Sequence, residues 1–319
     1  MSQQRIYGPK GLKTSSLCFG TMQFGGRANE TDSAKMYASC REAGLNFFDT
    51  AWVYTEGRSE EILGRLIAPE RDEIILVTKA GAEGGCSPKT IRSQLQESLT
   101  RMKLDYTDIF FLHRFDDNVP LEKTYEEVNA LKQEGKFHHL GVSNYAAWQV
   151  MKAQGLAKAH GFPKIEIIQP MYNLVKRQAE VEILPMAEAE DIGVISYSPL
   201  GGGLLTGKYN STAPAEDAGR LGWDPKYTAR YAQSWMHESA ARLQSLGADY
   251  GYAPISLAVA WVAAHSGITA PIISARSAEQ LRPSLASIDI KMDEELYAKL
   301  SELAPTPPPA TDRLEEQAS

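Results

Sequence analysis

An α/β fold, a closed (β/α)8 (TIM) barrel with an N-terminal β-hairpin and a long loop after the seventh strand, is what this sequence predicts. Three observations carry that reading. Short β-rich runs alternate eight times with longer amphipathic ones, the rhythm of βα units around a parallel sheet. The chain has 319 residues, a length at which such a barrel forms one domain. Asp49, Tyr54, Lys79 and His113 each end or follow a short apolar run, and strand exits are where a parallel barrel places its chemistry. Eight units favour closure over an open doubly wound sheet, an arrangement that pattern alone leaves open.

Residues 4–15 read as a hairpin turning at Gly8–Gly11, a cap for the barrel bottom. Strand 1 falls near Leu17–Phe19 and is followed by an amphipathic run, Thr31–Ala43, which Gly44 stops. Strand 2, near Asn46–Phe48, leads to the helix Ser59–Ile67; strand 3, Ile74–Thr78, leads to Pro88–Met102. Ser87-Pro88 supplies an N-cap and a first-turn proline there. Strand 4, Asp108–Leu112, precedes Leu121–Gly135, and strand 5, His139–Val142, precedes Ala146–His160. Strand 6, Glu166–Gln169, precedes Arg177–Asp191, with Gly193 past the helix end. Strand 7, Gly193–Tyr197, opens into residues 199–227, rich in Gly and Pro, before the helix Arg230–Tyr250. Loops that long inside a domain are commonly functional or disordered. An extra amphipathic run, Ser256–His265, precedes strand 8 at Pro271–Ser274, and Ala278–Ile288 closes the series. Residues 1–304 are thus expected to form the single barrel domain, and the proline-rich 305–319 an extended or mobile tail.

Composition narrows the function. With 43% hydrophobic and 23% charged residues the chain is that of a soluble globular protein. A formal charge of −7 argues against nucleic acid or an anionic membrane as main partner, while leaving room for a local basic pocket. Cys18, Cys40 and Cys86 are odd in number and lack C-x-x-C spacing, so neither a disulfide framework nor a zinc site is suggested. The first residues lack the apolar core of a signal peptide, and no apolar run approaches the roughly 18 residues of a membrane span. A cytoplasmic enzyme acting on a small molecule is the expectation; the oligomeric state is not legible.

Read as chemistry, Tyr54 is the candidate general acid. Reducing a carbonyl needs a hydride at carbon and a proton at oxygen. Lys79 would stabilise the phenolate and draw the tyrosine's pKa below its usual value of about 10. Asp49 would hold Lys79 charged, and His113 would donate to the substrate oxygen. Taken singly, each has a plainer reading: Asp49-Thr50 as a turn cap, Tyr54 as a loop residue, His113 as a core histidine. Their shared position at strand exits favours function.

Gly20-Thr-Met-Gln-Phe-Gly25, Asn46-Phe-Phe-Asp-Thr-Ala-Trp-Val-Tyr54, Lys79, Leu112-His113, Gly141-Val-Ser-Asn144, Ile168-Gln169 and Tyr197-Ser-Pro-Leu200 together resemble the aldo-keto reductase superfamily. The resemblance runs from about Arg5 to Leu300. Gln169-Pro-Met-Tyr-Asn173 and Gly201-Gly-Gly-Leu-Leu-Thr-Gly-Lys-Tyr209 are closest to the aflatoxin-aldehyde and aryl-alcohol reductase branches, and His113-Arg-Phe-Asp116 is similar to the latter. The resemblance implies a catalytic tetrad of Asp49, Tyr54, Lys79 and His113. It also implies a nicotinamide cofactor whose carboxamide meets Ser143, Asn144 and Gln169, with Tyr197 stacked on the ring. Without the resemblance, Ser143-Asn144 reads sooner as a helix N-cap and Tyr197 as a core aromatic. The pyrophosphate would fall under Ser198, Pro199, Leu200, Gly203 and Lys208, with Arg220 a further phosphate contact; there is no G-x-G-x-x-G after the first strand. Ser274, Arg276 and Gln280 would face an adenosine 2′-phosphate, which implies NADPH (NADP+) over NADH; Ser284 stands where many relatives carry Asn.

Met22, Phe24, Trp52, Arg114 and Tyr172 are expected around the reacting carbonyl, with Trp223 or Tyr227 from the long loop. An aromatic wall suits aryl or small aliphatic aldehydes, and Arg114 reads either as an anion reader or as a surface ion-pair residue. No metal is expected, and Cys86 is given no catalytic role. Two other readings stay open. The superfamily includes potassium-channel β-subunits in which the nucleotide serves mainly as a sensor, and Lys79 could serve a barrel enzyme as a Schiff-base amine.

Overall fold

Eight parallel strands close on themselves in the computed structural model, each hydrogen-bonded to the next and β1 to β8. The structure describes residues 11–210, 219–313 and 315, apart from the side chains of Asn210, Arg220 and Trp223. The strands are β1 Cys18–Gly20, β2 Phe47–Asp49, β3 Ile75–Ala80, β4 Thr107–Leu112, β5 Phe137–Ser143, β6 Ile165–Gln169, β7 Gly193–Ser196 and β8 Ala270–Ile273. They are the eight runs read from the sequence, shifted by one or two residues at their ends. The hairpin expected over 4–15 falls mostly on residues outside the description. No helix among the described residues is long and apolar enough to cross a membrane.

The core lies in two shells because strand side chains alternate between faces. Cys18, Phe47, Ile75, Val77, Ile109, Phe111, Ile167, Ile195, Ala270 and Ile272 fill the barrel interior. The other face packs against the helices, for example Phe19, Phe48, Leu76 and Ile273 against Met36, Tyr37, Leu63 and Leu281. Gly141 serves the inner shell: a Cβ there would lie 2.6 Å from the Phe111 ring.

The helices follow local signals. Asn29 caps α1 (Glu30–Glu42), and Ser87 caps α3 (Pro88–Met102) ahead of its first-turn proline. Between them lies α2 (Arg58–Ile67); α4 (Leu121–Gln133) and α5 (Ala147–His160) also follow the expected spans. The expected helix Arg177–Asp191 is shorter. A 3₁₀ turn, Gln178–Glu180, comes first, and α6 runs only Ile183–Ala189. Pro185 explains this, since it lacks an N–H and is tolerated only in a first turn. The described residues of the 199–227 segment, 199–210 and 219–227, are largely helical: 3₁₀ turns at Gly201–Thr206 and Lys208–Asn210 precede α7 (Gly219–Trp223) and α8 (Pro225–Arg230). The long helix α9 accordingly starts at Ser234, not Arg230, and ends at Tyr250. Then come α10 (Pro254–Ala264), α11 (Ala278–Leu285) and α12 (Glu294–Ser301). The last was not anticipated, although Asp293 caps it, Glu294 and Glu295 occupy its first turn and Lys299 its last.

Candidate active site

The alternation that fills the barrel also builds the site. Phe47 and Val77 point inward, so Asp49 and Lys79, two residues further on, point inward at the mouth. The same step leads from Phe111 to His113, from Gly141 to Ser143, from Ile167 to Gln169 and from Ile195 to Tyr197. These side chains therefore form one polar layer over the apolar interior.

The layer is tightly bonded. The Lys79 ammonium, fully buried, donates to Asp49 Oδ2 at 2.7 Å, to the Thr50 carbonyl at 2.8 Å and to the Tyr54 hydroxyl at 3.2 Å. Gln169 Nε2 donates to the other Asp49 oxygen at 2.9 Å. Ser143 Oγ donates to the Gln169 carbonyl at 3.0 Å. Asn144, in the left-handed region at φ 59°, donates to Ser143 Oγ and to the His113 carbonyl, each at 3.1 Å. It accepts from the Tyr197 hydroxyl at 2.8 Å. The His113 ring stands edge-on to Tyr54, centroids 6.1 Å apart. All four expected catalytic side chains meet here with the three expected carboxamide contacts and with Tyr197, expected under the nicotinamide ring.

Burial sets the protonation states. It is the largest influence on Lys79 and pulls its pKa down, yet Asp49 and Tyr54 outweigh it and leave the ammonium above its ordinary value. A lysine held charged is no Schiff-base nucleophile, so the geometry speaks against that reading. Tyr54 departs from expectation. Burial raises its pKa and, with Asp49 acting in the same direction, outweighs the lowering by Lys79. The phenol thus keeps its proton more firmly than a free tyrosine. Burial, then Lys79 and Arg114, push His113 down to about 3, and its Nδ1 is buried without a hydrogen-bond partner.

The residues expected on the phosphate side follow on the β7 exit. Ser198 (φ 60°), Gly201, Gly202 and Gly203 are all left-handed, which brings backbone to the surface where a side chain would stand. Pro199 is buried and Leu200 half-buried. The Lys208 ammonium reaches across this turn: a Cβ on Gly203 or Gly219 would sit 3.0 or 2.5 Å from Nζ. Arg220 lies on α7, its side chain outside the description. At the β8 exit Ser274 and Gln280 are exposed and Arg276 half-buried; Gln280 Oε1 accepts from the Arg276 amide at 3.4 Å. Ser284 is buried in α11.

The expected substrate wall is scattered. Met22 and Arg114 lie at strand exits, half-buried and exposed, and the Arg114 charge is felt at both His113 and Tyr197. Phe24 is wholly buried against Phe19 beneath α1 and α2. Trp52 turns its indole N–H to Glu97 on α3. Tyr172 is wholly buried, stacked on Trp261 of α10 at 5.2 Å, its hydroxyl on Glu180 at 2.5 Å; it belongs to the helix layer, not the mouth. Trp223 is on α7, its side chain outside the description, whereas the Tyr227 ring leans on Gly202 and couples electrostatically to Tyr54 and Tyr197. Sequence reasoning missed Arg230, whose guanidinium covers the Tyr227 ring at 4.8 Å, and the aromatic group Phe115, Tyr145 and Trp148 beside His113 and Asn144. Phe115 lies two residues past a strand-exit histidine, which was a usable signal. Cys86 is buried and its thiol pushed up to about 12, unlike a reactive thiolate. A cleft of about 410 Å3 between Gly251–Ser256 and Arg282–Ile290 is lined by none of the network's residues.

The family model described as "Aldo/keto reductase family" matches residues 16–305. An uncharacterized oxidoreductase, YrpG, of Bacillus subtilis (strain 168) is 32% identical, the alignment covering 94% of this chain and 95% of that one. Aflatoxin B1 aldehyde reductase member 2 of Rattus norvegicus is 36% identical over 85% of this chain and 79% of its own. A probable voltage-gated potassium channel subunit beta of Arabidopsis thaliana is 32% identical over 90% and 92%.

Proposed function

The chain belongs to the aldo/keto reductase family and is an oxidoreductase, and from that premise we propose that it reduces an aldehyde or ketone to the alcohol with NADPH, Tyr54 supplying the proton. The observation that carries this is the Asp49–Lys79–Tyr54 chain of hydrogen bonds at 2.7 and 3.2 Å. A proton donor must first hold its proton, and burial of Tyr54 ensures that it does. It must then tolerate losing it. At 3.2 Å the ammonium attracts a phenolate by about 5 kcal/mol at an effective dielectric of about 20. Asp49 keeps that ammonium charged and pointed. His113 stays neutral down to low pH; with Nδ1 buried and unpartnered, the ring's proton belongs on Nε2, from which it donates to the carbonyl oxygen and fixes its angle.

The donor set suits a nicotinamide nucleotide. Ser143, Asn144 and Gln169 offer hydroxyl and amide groups able both to donate to and accept from a carboxamide, and Tyr197 offers a ring face. Ser198, Pro199, Leu200, Gly203, Lys208 and Arg220 would hold the pyrophosphate, and Ser274, Arg276 and Gln280, with Ser284 behind them, the adenosine phosphate. When bound, the reduced nicotinamide supplies the hydride. The test is loss of NADPH absorbance against a carbonyl panel spanning aryl aldehydes, small aliphatic aldehydes and anionic aldehydes, with Tyr54→Phe beside the parent. Turnover that vanishes in Tyr54→Phe while NADPH binding persists is expected; turnover retained in that variant removes Tyr54 from its role. The relatives named as channel β-subunits favour one second reading, a nucleotide-sensing subunit with little turnover. Tight NADPH binding, no carbonyl reduction and a stable complex with a membrane channel would establish it instead.

A further inference from the structure

Tyr54 rides on a turn that its own sequence does not hold. Thr55 (φ 49°), Glu56 (φ 58°) and Gly57 (φ 91°) are three consecutive left-handed residues, a conformation that crowds the Cβ of the two non-glycine ones against the following carbonyl. Such a turn persists only where its surroundings impose it. On one side Thr55 Oγ1 donates to the Phe24 carbonyl at 2.8 Å and accepts from the Ser59 amide at 3.0 Å.

The other side is held by Arg101 of α3. Its Nη1 donates to the Trp52 carbonyl at 2.9 Å and to Glu60 Oε2 at 3.0 Å. Its guanidinium covers the Trp52 ring at 5.5 Å and lies on Gly57, where a Cβ would fall 2.6 Å from Cζ. Glu60 is wholly buried, and its other oxygen accepts from Thr78 Oγ1 at 2.6 Å. Thr78 is the residue before Lys79. A continuous set of contacts therefore runs from the lysine's strand through Thr78, Glu60 and Arg101 to the backbone two residues from Tyr54.

We propose that Arg101, anchored by Glu60, is a positioning residue that fixes the Trp52–Gly57 turn so that the Tyr54 hydroxyl stays within hydrogen-bond reach of Lys79. This rests on Tyr54 being the proton donor. An ion pair serving stability alone needs no contact with the turn; this guanidinium touches it at Trp52 and Gly57. Removing it frees both ends of a strained segment, and a misplacement of about 1 Å is enough to cost about a hundredfold in rate.

The test compares Arg101→Met, Arg101→Lys and Arg92→Met in the full chain. Arg92 lies on the same helix and pairs with Glu127 and Glu134, so its loss removes a comparable ion-pair group without touching the turn. With NADPH and a nitro-substituted benzaldehyde, Arg101→Met is expected to lower kcat roughly 10- to 100-fold with the NADPH Kd changed less than about twofold. Arg101→Lys should recover part of the loss, and Arg92→Met should keep the parent kcat. Independently of turnover, the ring-carbon NMR signal of Tyr54, identified by its absence in Tyr54→Phe, should move in Arg101→Met and stay in Arg92→Met. Equal kcat in the two methionine variants, or an unmoved Tyr54 signal, overturns the proposal. A parent protein that reduces no carbonyl sinks the reductase reading, and the NMR arm then decides the placement of Tyr54 alone. If Arg101→Met does not fold, Glu60→Gln, which keeps the side chain's size and removes its charge, is read by the same criteria.

Discussion

Acid should destabilise this protein partly through His113, and His113→Gln isolates that part. The ring is half-buried beside Lys79 and Arg114, and its pKa falls from the ordinary 6.5 to about 3. The folded protein therefore refuses a proton that the unfolded chain accepts. Above the unfolded pKa both states are neutral and the group costs nothing. As pH falls from 6.5 towards 3 the unfolded state gains about 1.36 kcal/mol per unit. At about pH 4.5 that amounts to 2–3 kcal/mol, and about 2 kcal/mol after discounting for the ring's partial exposure. Glutamine keeps a polar side chain without a titrating ring. Urea unfolding of parent and variant at about pH 7.5 and about pH 4.5 should show the parent losing about 2 kcal/mol more than the variant between the two. Every other titrating group is common to both proteins and cancels in the double difference. Equal losses would mean that His113 is protonated as easily in the fold as in the open chain, and the neutral-donor role would fall with it.

Tyr172→Phe should lower stability by about 1 kcal/mol through loss of its bond to Glu180, yet leave kcat unchanged; a fall in kcat would return Tyr172 to the mouth. Gly64→Ala should cost about 1–3 kcal/mol of overpacking, since the new Cβ meets the Met102 backbone at 2.6 Å; an unchanged melting temperature would show that α2 and α3 separate freely. Arg276→Ala should cut the preference for NADPH over NADH about 10- to 100-fold, the equivalent of one charge-assisted phosphate contact, and nucleotide titration by fluorescence reads it directly.

The barrel was legible because its signals are local and repeated. Eight apolar runs bounded by turn residues survive any small error of register, and the polar residues at their exits share one face by simple alternation. The substrate wall was not legible, because which way a side chain turns past a strand end depends on neighbours remote in sequence. Phe24 lies in the loop after β1, where Phe19 and the α1–α2 layer offer it a larger apolar surface than the mouth does. Tyr172 is drawn to Trp261, some ninety positions away, and Trp52 to α3. The direction of the Tyr54 shift failed for a related reason: the sequence shows the neighbouring cation but not the burial that opposes it. The helix α12 carries ordinary cap signals but only 8 residues, too few turns for its apolar period to stand out beside the proline-rich tail.

Two buried ion pairs sit at opposite ends of this barrel, and their difference says more than their presence. At the entry to β4, Asp108 faces Arg71 at 2.9 Å and accepts the Leu76 amide at 2.8 Å; burial dominates there and raises the carboxyl's pKa. Its partners are a neighbouring strand and the turn before it, so its work is to join β3 to β4. At the exit of β2, Asp49 faces Lys79 at 2.7 Å, and here the cation also reaches the Thr50 carbonyl and a phenol at the open mouth. A buried pair is weak ground for stability, since matched apolar side chains often serve as well. What distinguishes the second pair is that an apolar replacement would remove the charge facing Tyr54, which under the proposed function is what makes giving up a proton tolerable. The cost of burying Lys79 and Asp49 therefore makes sense as chemistry at the mouth, whereas that of Arg71 and Asp108 makes sense as carpentry at the base.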